Sequence, residues 1–170
     1  KKDIKKFKNT PNLKIFIGDV SNTNLIGKIF KESLKKKKLI TGLVNNAGVR
    51  QRIKFEKITT RNIRGVFEIN FFSHLKLTQR LMKILIKNKK GSIINISSIA
   101  GSRAYSATPY TTSKAAINGL TLSMAYDHGK DNIRVNAIAP GLVDRDGEMK
   151  ISEIPGNSKI IEKIVPLKRS

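Results

Sequence analysis

Ser98, Tyr110 and Lys114 are three side chains that could move a proton together, and they lie close to one another along the chain. A free tyrosine, with a pKa of about 10, is a poor base at neutral pH, so a nearby cation is needed to favour its phenolate form. Lys114 follows Tyr110 by one helical turn and could supply that cation. The Ser98 hydroxyl could polarise a substrate oxygen. The trio predicts proton transfer to or from a carbonyl or an alcohol, whereas an isolated Tyr-x-x-x-Lys pair would be a packed tyrosine and a solvated lysine.

A predicted strand and a predicted helix place these side chains at one sheet edge. Ser98 lies just after the apolar run Gly91–Ile96, and the spacing between Ser98 and Tyr110 suits a loop that returns from a strand end to a helix start. Pro109 fits the first position of that helix, where its missing N–H costs nothing, with Thr108 as the N-cap. Because ligands bind at the carboxyl ends of strands in such sheets, the trio is predicted to line one crevice.

Short apolar, β-branched runs alternate with helix-length segments along the whole chain. The runs are Leu13–Ile17, Leu39–Val44, Ser92–Ile96 and Ile133–Ile138. This alternation predicts an α/β fold, a doubly wound parallel sheet covered by helices on both faces. Polar side chains in the segment 19–22 can cap a first helix, and hydrophobic spacing predicts a long helix from about Thr59 to Lys87.

Composition excludes several classes of protein. The length of 170 residues suits a single domain. The absence of cysteine excludes a disulfide scaffold and a thiolate metal site. His74 and His128 have no partner at ligand spacing, so each is interpreted as a surface or packing residue and a zinc enzyme is excluded. No apolar run approaches the ~20 residues that span a bilayer. The expected location is the cytoplasm, with no membrane partner.

The charge is strongly positive, with 34 Lys and Arg against 12 Asp and Glu and a net charge of +22. Such a surface could indicate a nucleic-acid partner. Lysines such as those in Lys87–Lys90 fall where a helix ends, however, and cations there complement the helix dipole. The preferred interpretation is a lysine-biased composition with no specific nucleic-acid partner.

Five motifs, in their order and spacing, resemble those of the short-chain dehydrogenase/reductase family. They are Asn45-Asn46-Ala47-Gly48 after a strand, Asn70 within the long helix, Ile96-Ser97-Ser98-Ile99-Ala100-Gly101, Tyr110-x-x-x-Lys114, and Arg134-Val135-Asn136-Ala137-Ile138-Ala139-Pro140-Gly141. The similarity runs from about Leu13 to Arg169. It implies a Rossmann-type fold and an oxidoreductase that uses NAD or NADP on a carbonyl/alcohol pair.

The resemblance also implies a role for each catalytic position. Tyr110 resembles the acid/base, and Ser98 the partner of the substrate oxygen. Lys114 resembles the cation that acts on the tyrosine and binds the nicotinamide ribose. Asn70 resembles the asparagine that bends its helix and holds a water of the proton relay. The assignments of Ser98 and Tyr110, and the action of Lys114 on the tyrosine, agree with the chemistry expected from the side chains themselves.

The cofactor positions are implied by the resemblance in the same way. They are Asp19 and Val20 beside the adenine, Asn46, Ala47 and Gly48 along the cofactor, and Pro140, Gly141 and Val143 beside the nicotinamide. The family's glycine-rich phosphate turn would lie before Lys1, so we expect residues 1–170 to be a single partial dinucleotide-binding and catalytic domain, truncated at both ends. Arg145 stands where many members carry a threonine, and it could meet a cofactor phosphate or face solvent.

Two functions from different classes follow. The first resembles beta-ketoacyl-acyl carrier protein reductases and related sugar or alcohol dehydrogenases, with a small carbonyl/alcohol substrate free or carried on acyl carrier protein or CoA. A basic cluster at Lys87, Lys89 and Lys90 hints at an acidic carrier. The family also implies a homodimer or homotetramer, joined through the long helix and the helix that begins near Pro109. The alternative is a non-catalytic family member that binds nucleic acid or protein through its charge, although such a module needs no complete catalytic set.

Overall fold

The computed structural model describes residues 10–11, 13–35, 40–103, 105–143 and 163. Three parallel strands form a sheet in the order β1 (Gly42–Asn45), β2 (Gly91–Ile96) and β3 (Ile133–Ile138). Helices α1 (Thr23–Lys35), α2 (Thr60–Phe67), α3 (Ser73–Asn88) and α4 (Thr108–His128) precede or connect the strands. The predicted class is confirmed, because this part of the chain is a partial α/β fold with a parallel sheet.

The predicted long helix is present, with one irregular turn inside it. Thr59 caps α2 by a capping box, in which its hydroxyl accepts from the Asn62 N–H at 3.2 Å and the Asn62 side chain accepts from the Thr59 N–H at 2.9 Å. A π-helical turn, Glu68–Phe72, then joins α2 to α3. The predicted cap before α1 is also confirmed, since the Asn22 side chain accepts from the backbone N–H of Asn24 at 2.9 Å.

The start of α4 differs from the prediction by one residue. The carbonyl of Ala107 accepts the first helical hydrogen bond, from the N–H of Thr111 at 2.9 Å. Ala107 is therefore the N-cap, and Thr108 is already helical and makes no capping bond. Pro109 lies buried in the first turn, where its missing N–H is no loss.

The prediction of a fourth strand at Leu13–Ile17 is wrong for this structure. The side chains of Leu13 and Ile17 are 48% and 69% exposed, and the segment pairs with none of the three strands. A strand is stable only with a neighbour that accepts its ladder hydrogen bonds and helps to bury its side chains. A β-branched apolar run gives this segment a propensity for strand, but it does not provide the neighbouring strand that is also needed.

The core lies between one face of the sheet and the helices α3 and α4. Its buried side chains are Met82, Leu85, Ile93, Met124, Ile133 and Val135. On the other face of the sheet, Val44 and Ile138 remain 59% and 50% exposed. Helices were predicted to cover both faces of the sheet. Within the described residues, they cover one face.

A buried polar chain runs through this core and links both helices to the sheet. The Asn45 amide donates to Thr78 of α3 at 3.0 Å and to Asn95 at 2.9 Å, and the Asn95 amide donates to Thr121 of α4 at 2.9 Å. Asn45 and Asn95 face each other in register on β1 and β2. Because buried polar groups are costly unless paired, these four side chains fix the position of both helices over the strand ends.

Candidate active site

The loop after β2 packs directly against α4, and this contact brings Ser98 to the helix that carries Tyr110 and Lys114. Gly101 makes the contact possible, since a Cβ at that position would lie 2.9 Å from the carbonyl carbon of Lys114. The hydroxyl of Ser97 donates to the side chain of Asn118 on the same helix at 2.6 Å. The structure therefore brings the three proton-transfer candidates to the carboxyl end of β2, as the sequence predicts.

Lys114 is a buried ammonium, with 3% of its surface exposed. Its Nζ donates to the carbonyl oxygen of Ile96, the last residue of β2, at 2.6 Å. The same Nζ lies 5.7 Å from the centre of the Tyr110 ring. Burial lowers the pKa of Lys114 from its ordinary value, because the charged form loses its hydration. The side chain is thus placed as a fixed cation beside a half-buried phenol.

Ser98 is also buried and is oriented by its own loop. Its Oγ accepts from the N–H of Ala100 at 3.2 Å, which begins a single helical turn at Ile99–Gly101. Within the described part of the chain its hydroxyl proton has no acceptor. A substrate oxygen at this edge of the sheet could therefore accept a hydrogen bond from Ser98.

Asn70 fastens the loop after β1 to α4. Its amide nitrogen donates to the Val49 carbonyl at 3.0 Å and to the Ser113 hydroxyl at 2.9 Å, and its amide oxygen accepts from the Val49 N–H at 2.8 Å. Ser113 in turn donates to the Tyr110 carbonyl at 2.7 Å. Asn70 lies within the π-helical turn, an irregularity at the position where the resemblance implies a bend.

Ser113 and His74 are site residues that sequence reasoning missed. Ser113 is fully buried next to Lys114, and a small polar residue on the buried face of a helix was the available signal. His74, interpreted above as a surface or packing residue, lies buried with its Nε2 2.9 Å from the carbonyl oxygen of Ala47. Its Nδ1 has no hydrogen-bond partner within the described residues.

The electrostatics of His74 follow from this position. Burial lowers its pKa to about 4, the hydrogen bond to Ala47 opposes that shift, and the charge of Lys114 adds to it. His74 is therefore neutral near pH 7, with the proton on Nε2 assigned from its bond to the carbonyl. A neutral imidazole thus holds the turn along which the resemblance places the cofactor.

The turn after β1 is open on the side that faces Lys114. Asn46 and Gly48 are exposed and Ala47 is half-buried. A Cβ built on Gly48 would lie 3.5 Å from Asn70 Oδ1 and 3.7 Å from Lys114 Nζ, so any larger side chain would cover both groups. A ribose edge could approach Lys114 over this glycine, and the residues present fit that half of a nicotinamide dinucleotide.

The strip after β3 lies against the serine loop. The carbonyl of Pro140 accepts from the N–H of Ile99 at 3.1 Å, and Gly141 lies next to the Ile99 side chain. Val143 is 58% exposed and is free to meet a flat ring. The structure therefore brings the nicotinamide strip of the resemblance next to Ser98, whereas Arg145 lies outside the described residues.

The positions assigned to the adenine have only a local structure around them. Asp19 is exposed, and its carboxylate accepts from the N–H and the hydroxyl of Ser21, both at 2.8 Å. These two bonds, that of the backbone N–H first, lower the pKa of Asp19. Val20 is half-buried beside it. The turn before α1 is thereby ordered with its carboxylate at the surface.

The described residues contain neither a candidate metal site nor a candidate membrane span. They contain no cluster of three His, Cys, Asp or Glu side chains that could hold a metal ion. None of their helices is long and apolar enough to cross a membrane.

The family model of the short chain dehydrogenases matches residues 1–155. The chain belongs to the short-chain dehydrogenase family. Among curated relatives, it is 32% identical over 152 residues to the 3-oxoacyl-(acyl-carrier-protein) reductase FabG of Chlamydia trachomatis serovar D, covering 89% of this chain and 60% of that protein. This short-chain dehydrogenase sequence spans about three fifths of the length of the curated relatives it matches.

Solved structures agree with the family assignment. A gluconate 5-dehydrogenase from Burkholderia cenocepacia, in complex with NADP and tartrate, superposes with a TM-score of 0.80 at 25% identity and covers 89% of this chain and 60% of its own. A 4-hydroxyisoleucine dehydrogenase, complexed with NADH and succinate, gives a TM-score of 0.71 at 34% identity, with 79% and 64% covered. The predicted Rossmann-type fold is confirmed by these neighbours.

Proposed function

We propose that this chain is the catalytic part of an NAD(P)-dependent oxidoreductase that interconverts a secondary alcohol and a ketone. One observation carries the proposal: a buried ammonium, Lys114, lies between the end of β2 and the ring of Tyr110, with Ser98 on the adjoining loop. A structural lysine gains nothing from such burial, since desolvation of a charge costs free energy that a single carbonyl repays only in part. Proton transfer at Tyr110 explains the arrangement.

Each residue then has a defined task. Tyr110 gives its phenolic proton to the forming alkoxide in reduction and takes it back in oxidation. Lys114 favours the phenolate by its charge and binds the ribose hydroxyls across Gly48. Ser98 donates to the substrate oxygen as negative charge develops there. The bound dinucleotide supplies or accepts the hydride.

Asn70 and His74 keep these groups in place. Asn70 ties the loop after β1 to α4 through Val49 and Ser113, and we assign to it the water of the proton relay. His74 holds the Ala47 carbonyl and so the cofactor turn. The proposed cofactor positions at 19–20, at 46–48, and at 140, 141 and 143 would carry the adenine, the central part and the nicotinamide respectively. Relatives complexed with NADH and with NADP support either dinucleotide.

A 3-oxoacyl thioester is the first substrate to test, because a FabG reductase is among the curated relatives. The basic cluster at Lys87, Lys89 and Lys90 does not support that substrate. It precedes Gly91, at the start of β2, whereas Ser98 follows the other end of the strand. Those exposed lysines therefore lie at the far edge of the sheet and cannot present cations at the mouth of the site.

We also propose that the protein is a homo-oligomer. Leu122 and Tyr126, one turn apart on α4, are 74% and 90% exposed, and Phe72, beside the start of α3, is 38% exposed. Apolar side chains aligned on a surface helix favour burial against a second copy. A closed dimer or tetramer through these helices would cover them.

The deciding experiment is the substitution Tyr110→Phe, which removes the phenolic hydroxyl and keeps the ring. Turnover of acetoacetyl-CoA with NADPH or NADH should fall by roughly 10²- to 10⁴-fold, because a positioned acid/base is lost, while dinucleotide affinity by fluorescence stays within about twofold. Tyr126→Phe, at an exposed position of the same helix, is the matched control and should retain turnover. Unchanged turnover in Tyr110→Phe would contradict the proposed function.

A further inference from the structure

Two arginines converge on one phenol beside the first turn of α4. Arg50 donates to the hydroxyl oxygen of Tyr105 at 2.8 Å, and Arg52 donates to the same oxygen at 3.0 Å. The guanidinium carbon of Arg52 also lies 5.8 Å from the centre of the Tyr105 ring. A phenol oxygen has two lone pairs and can accept both bonds. The three side chains thus form a fork of two exposed cations on one hydroxyl, which we call the arginine fork.

The positive charge of the arginine fork is not balanced. Within the described residues, the ion pairs involve other side chains, and neither Arg50 nor Arg52 has a carboxylate within 4.0 Å. Burial would raise the pKa of Tyr105, but the hydrogen bond from Arg52 and the charges of both arginines outweigh burial and lower it. Two guanidinium groups held against one neutral hydroxyl repel each other, and an anion between them would relieve that repulsion.

The arginine fork is fastened to the catalytic elements on both sides. Arg50 follows Val49, whose N–H and carbonyl are both bonded to the Asn70 amide. The carbonyl of Tyr105 accepts from the Thr111 hydroxyl on the first turn of α4 at 3.5 Å. The fork therefore lies at the same carboxyl edge of the sheet as the catalytic serine and tyrosine.

A small cavity opens at the arginine fork. Its volume is about 240 Å³, and it is lined by Arg52, Ile53, Lys54, Tyr105 and Ser106. Pockets for whole drug-sized ligands are larger, at roughly 300–1,000 Å³. The cavity fits one anionic group of a substrate, and Lys54 adds a third cation to its wall.

We propose that the arginine fork binds a carboxylate or phosphate group of the substrate and so selects anionic carbonyl compounds. The proposal rests on the proposed function, because it places the reacting carbon of the same molecule at Tyr110. Guanidinium groups bind such anions through paired N–H···O bonds, which fix orientation as well as adding affinity. The cavity takes the charged end of the molecule, and the crevice along β2 takes its carbonyl.

Matched substrate pairs separate the two sources of the anion. The carboxylate arm compares a 4-oxo acid with its methyl ester, and the phosphate arm compares acetoacetyl-CoA with the acetoacetyl thioester of N-acetylcysteamine. In the double variant Arg50→Gln/Arg52→Gln, KM for the charged member of one pair should rise about 10- to 100-fold, the effect of losing charge-assisted hydrogen bonds. KM for the uncharged member should change by less than about twofold. A variant that carries Arg52→Lys in place of Arg52→Gln should show a smaller rise in KM for the charged member.

Arg103→Gln is the matched control, since Arg103 is an exposed arginine of the same loop region and lies outside the fork. Its KM values should match those of the unaltered protein. If the double variant raises KM equally for charged and uncharged members, or for neither, the arginine fork has no role in selecting anions and the proposal is overturned. Circular dichroism and the single variant Tyr105→Phe, which frees both arginines without removing charge, distinguish misfolding from loss of the anion site.

Direct binding keeps this proposal separate from the proposed function. Titration calorimetry with succinate and with inorganic phosphate, without any turnover, should show affinity that falls about tenfold or more in the double variant and is kept in Arg103→Gln. If no carbonyl compound is reduced but this loss is seen, the proposed function fails and the anion site stands. If carbonyl compounds are reduced and neither anion binds more weakly to the double variant, the proposed function stands and the anion site is refuted.

Discussion

Mild acid should destabilise this protein through one buried imidazole, that of His74. Its ring is 3% exposed and donates to the Ala47 carbonyl at 2.9 Å. Burial, aided by the charge of Lys114 and opposed by the bond to Ala47, lowers its pKa from 6.5 to about 4. In the unfolded chain the imidazole regains water and its ordinary pKa. The unfolded state therefore takes up a proton at a pH where the folded state does not.

The size of the effect follows from that difference. The values 6.5 and about 4 differ by about 2.5 pKa units, and at about 1.4 kcal/mol per unit this is roughly 3 to 4 kcal/mol. The contribution of His74 to the free energy of unfolding is complete above pH 6.5 and is lost as the pH falls towards about 4. Because the pKa of Asp19 is lowered from its ordinary value of 3.8, protonation of its carboxylate changes the free energy of unfolding at lower pH, outside the range in which His74 acts.

Urea unfolding at about pH 7, 5.5 and 4.5 measures this loss. The variant His74→Gln keeps a donor that can reach the Ala47 carbonyl but does not titrate, so its free energy of unfolding should change by less than about 1 kcal/mol over the range. His128→Gln is the control, since His128 is half-buried against Asp131 at 3.1 Å, and it should retain the full loss. An equal loss in His74→Gln and in the unaltered protein would refute the reasoning.

Three further outcomes are expected. Lys114→Met, which keeps most of the volume and removes the charge, should weaken dinucleotide binding and slow turnover together by about tenfold or more, and a change in rate alone would show that Lys114 does not bind the ribose. Replacing Leu122 and Tyr126 by glutamate should shift the protein to smaller species by light scattering, whereas a monomer before substitution would contradict the proposed oligomer. The net charge of +22 should give DNA binding at low salt that largely disappears near ~0.2 M without sequence preference. A sequence-specific complex at that salt would favour the non-catalytic alternative.

The parts of the fold that sequence predicted are those set by local pattern. The β-branched runs at β2 and β3 and the apolar spacing of α3 indicate their elements because each element buries one repeated face. Leu13–Ile17 shows the limit of prediction from local pattern. Its residue pattern is that of a strand, but a strand forms only where a neighbouring strand pairs with it. The prediction of Thr108 as the N-cap of α4 was wrong by one residue. Either of two adjacent residues could begin the helix, and in the structure the carbonyl of Ala107 accepts the first helical hydrogen bond.

The candidate site was predictable where chemistry and spacing coincide. Tyr110 and Lys114 share a helix face, so their proximity follows from helical geometry. The arginine fork joins Arg52 to Tyr105, which are 53 positions apart, and no local pattern connects them. The contact of His74 could not be predicted for the same reason, because its partner is a backbone carbonyl on another element and a sequence does not display such partners.

The π-helical turn at Glu68–Phe72 sets the rotational phase of everything that follows it. One extra residue in a helix turns the next segment by about 100° about its axis. With the turn in place, α3 directs His74, Thr78 and Leu85 to the sheet. Deletion of a single residue there would restore a regular helix and rotate those three side chains away together. Apart from Asn70, whose amide binds Val49 and Ser113, this segment can therefore change its residue types more readily than its length. The alignment of the turn after β1 with the core depends on the number of residues in the segment.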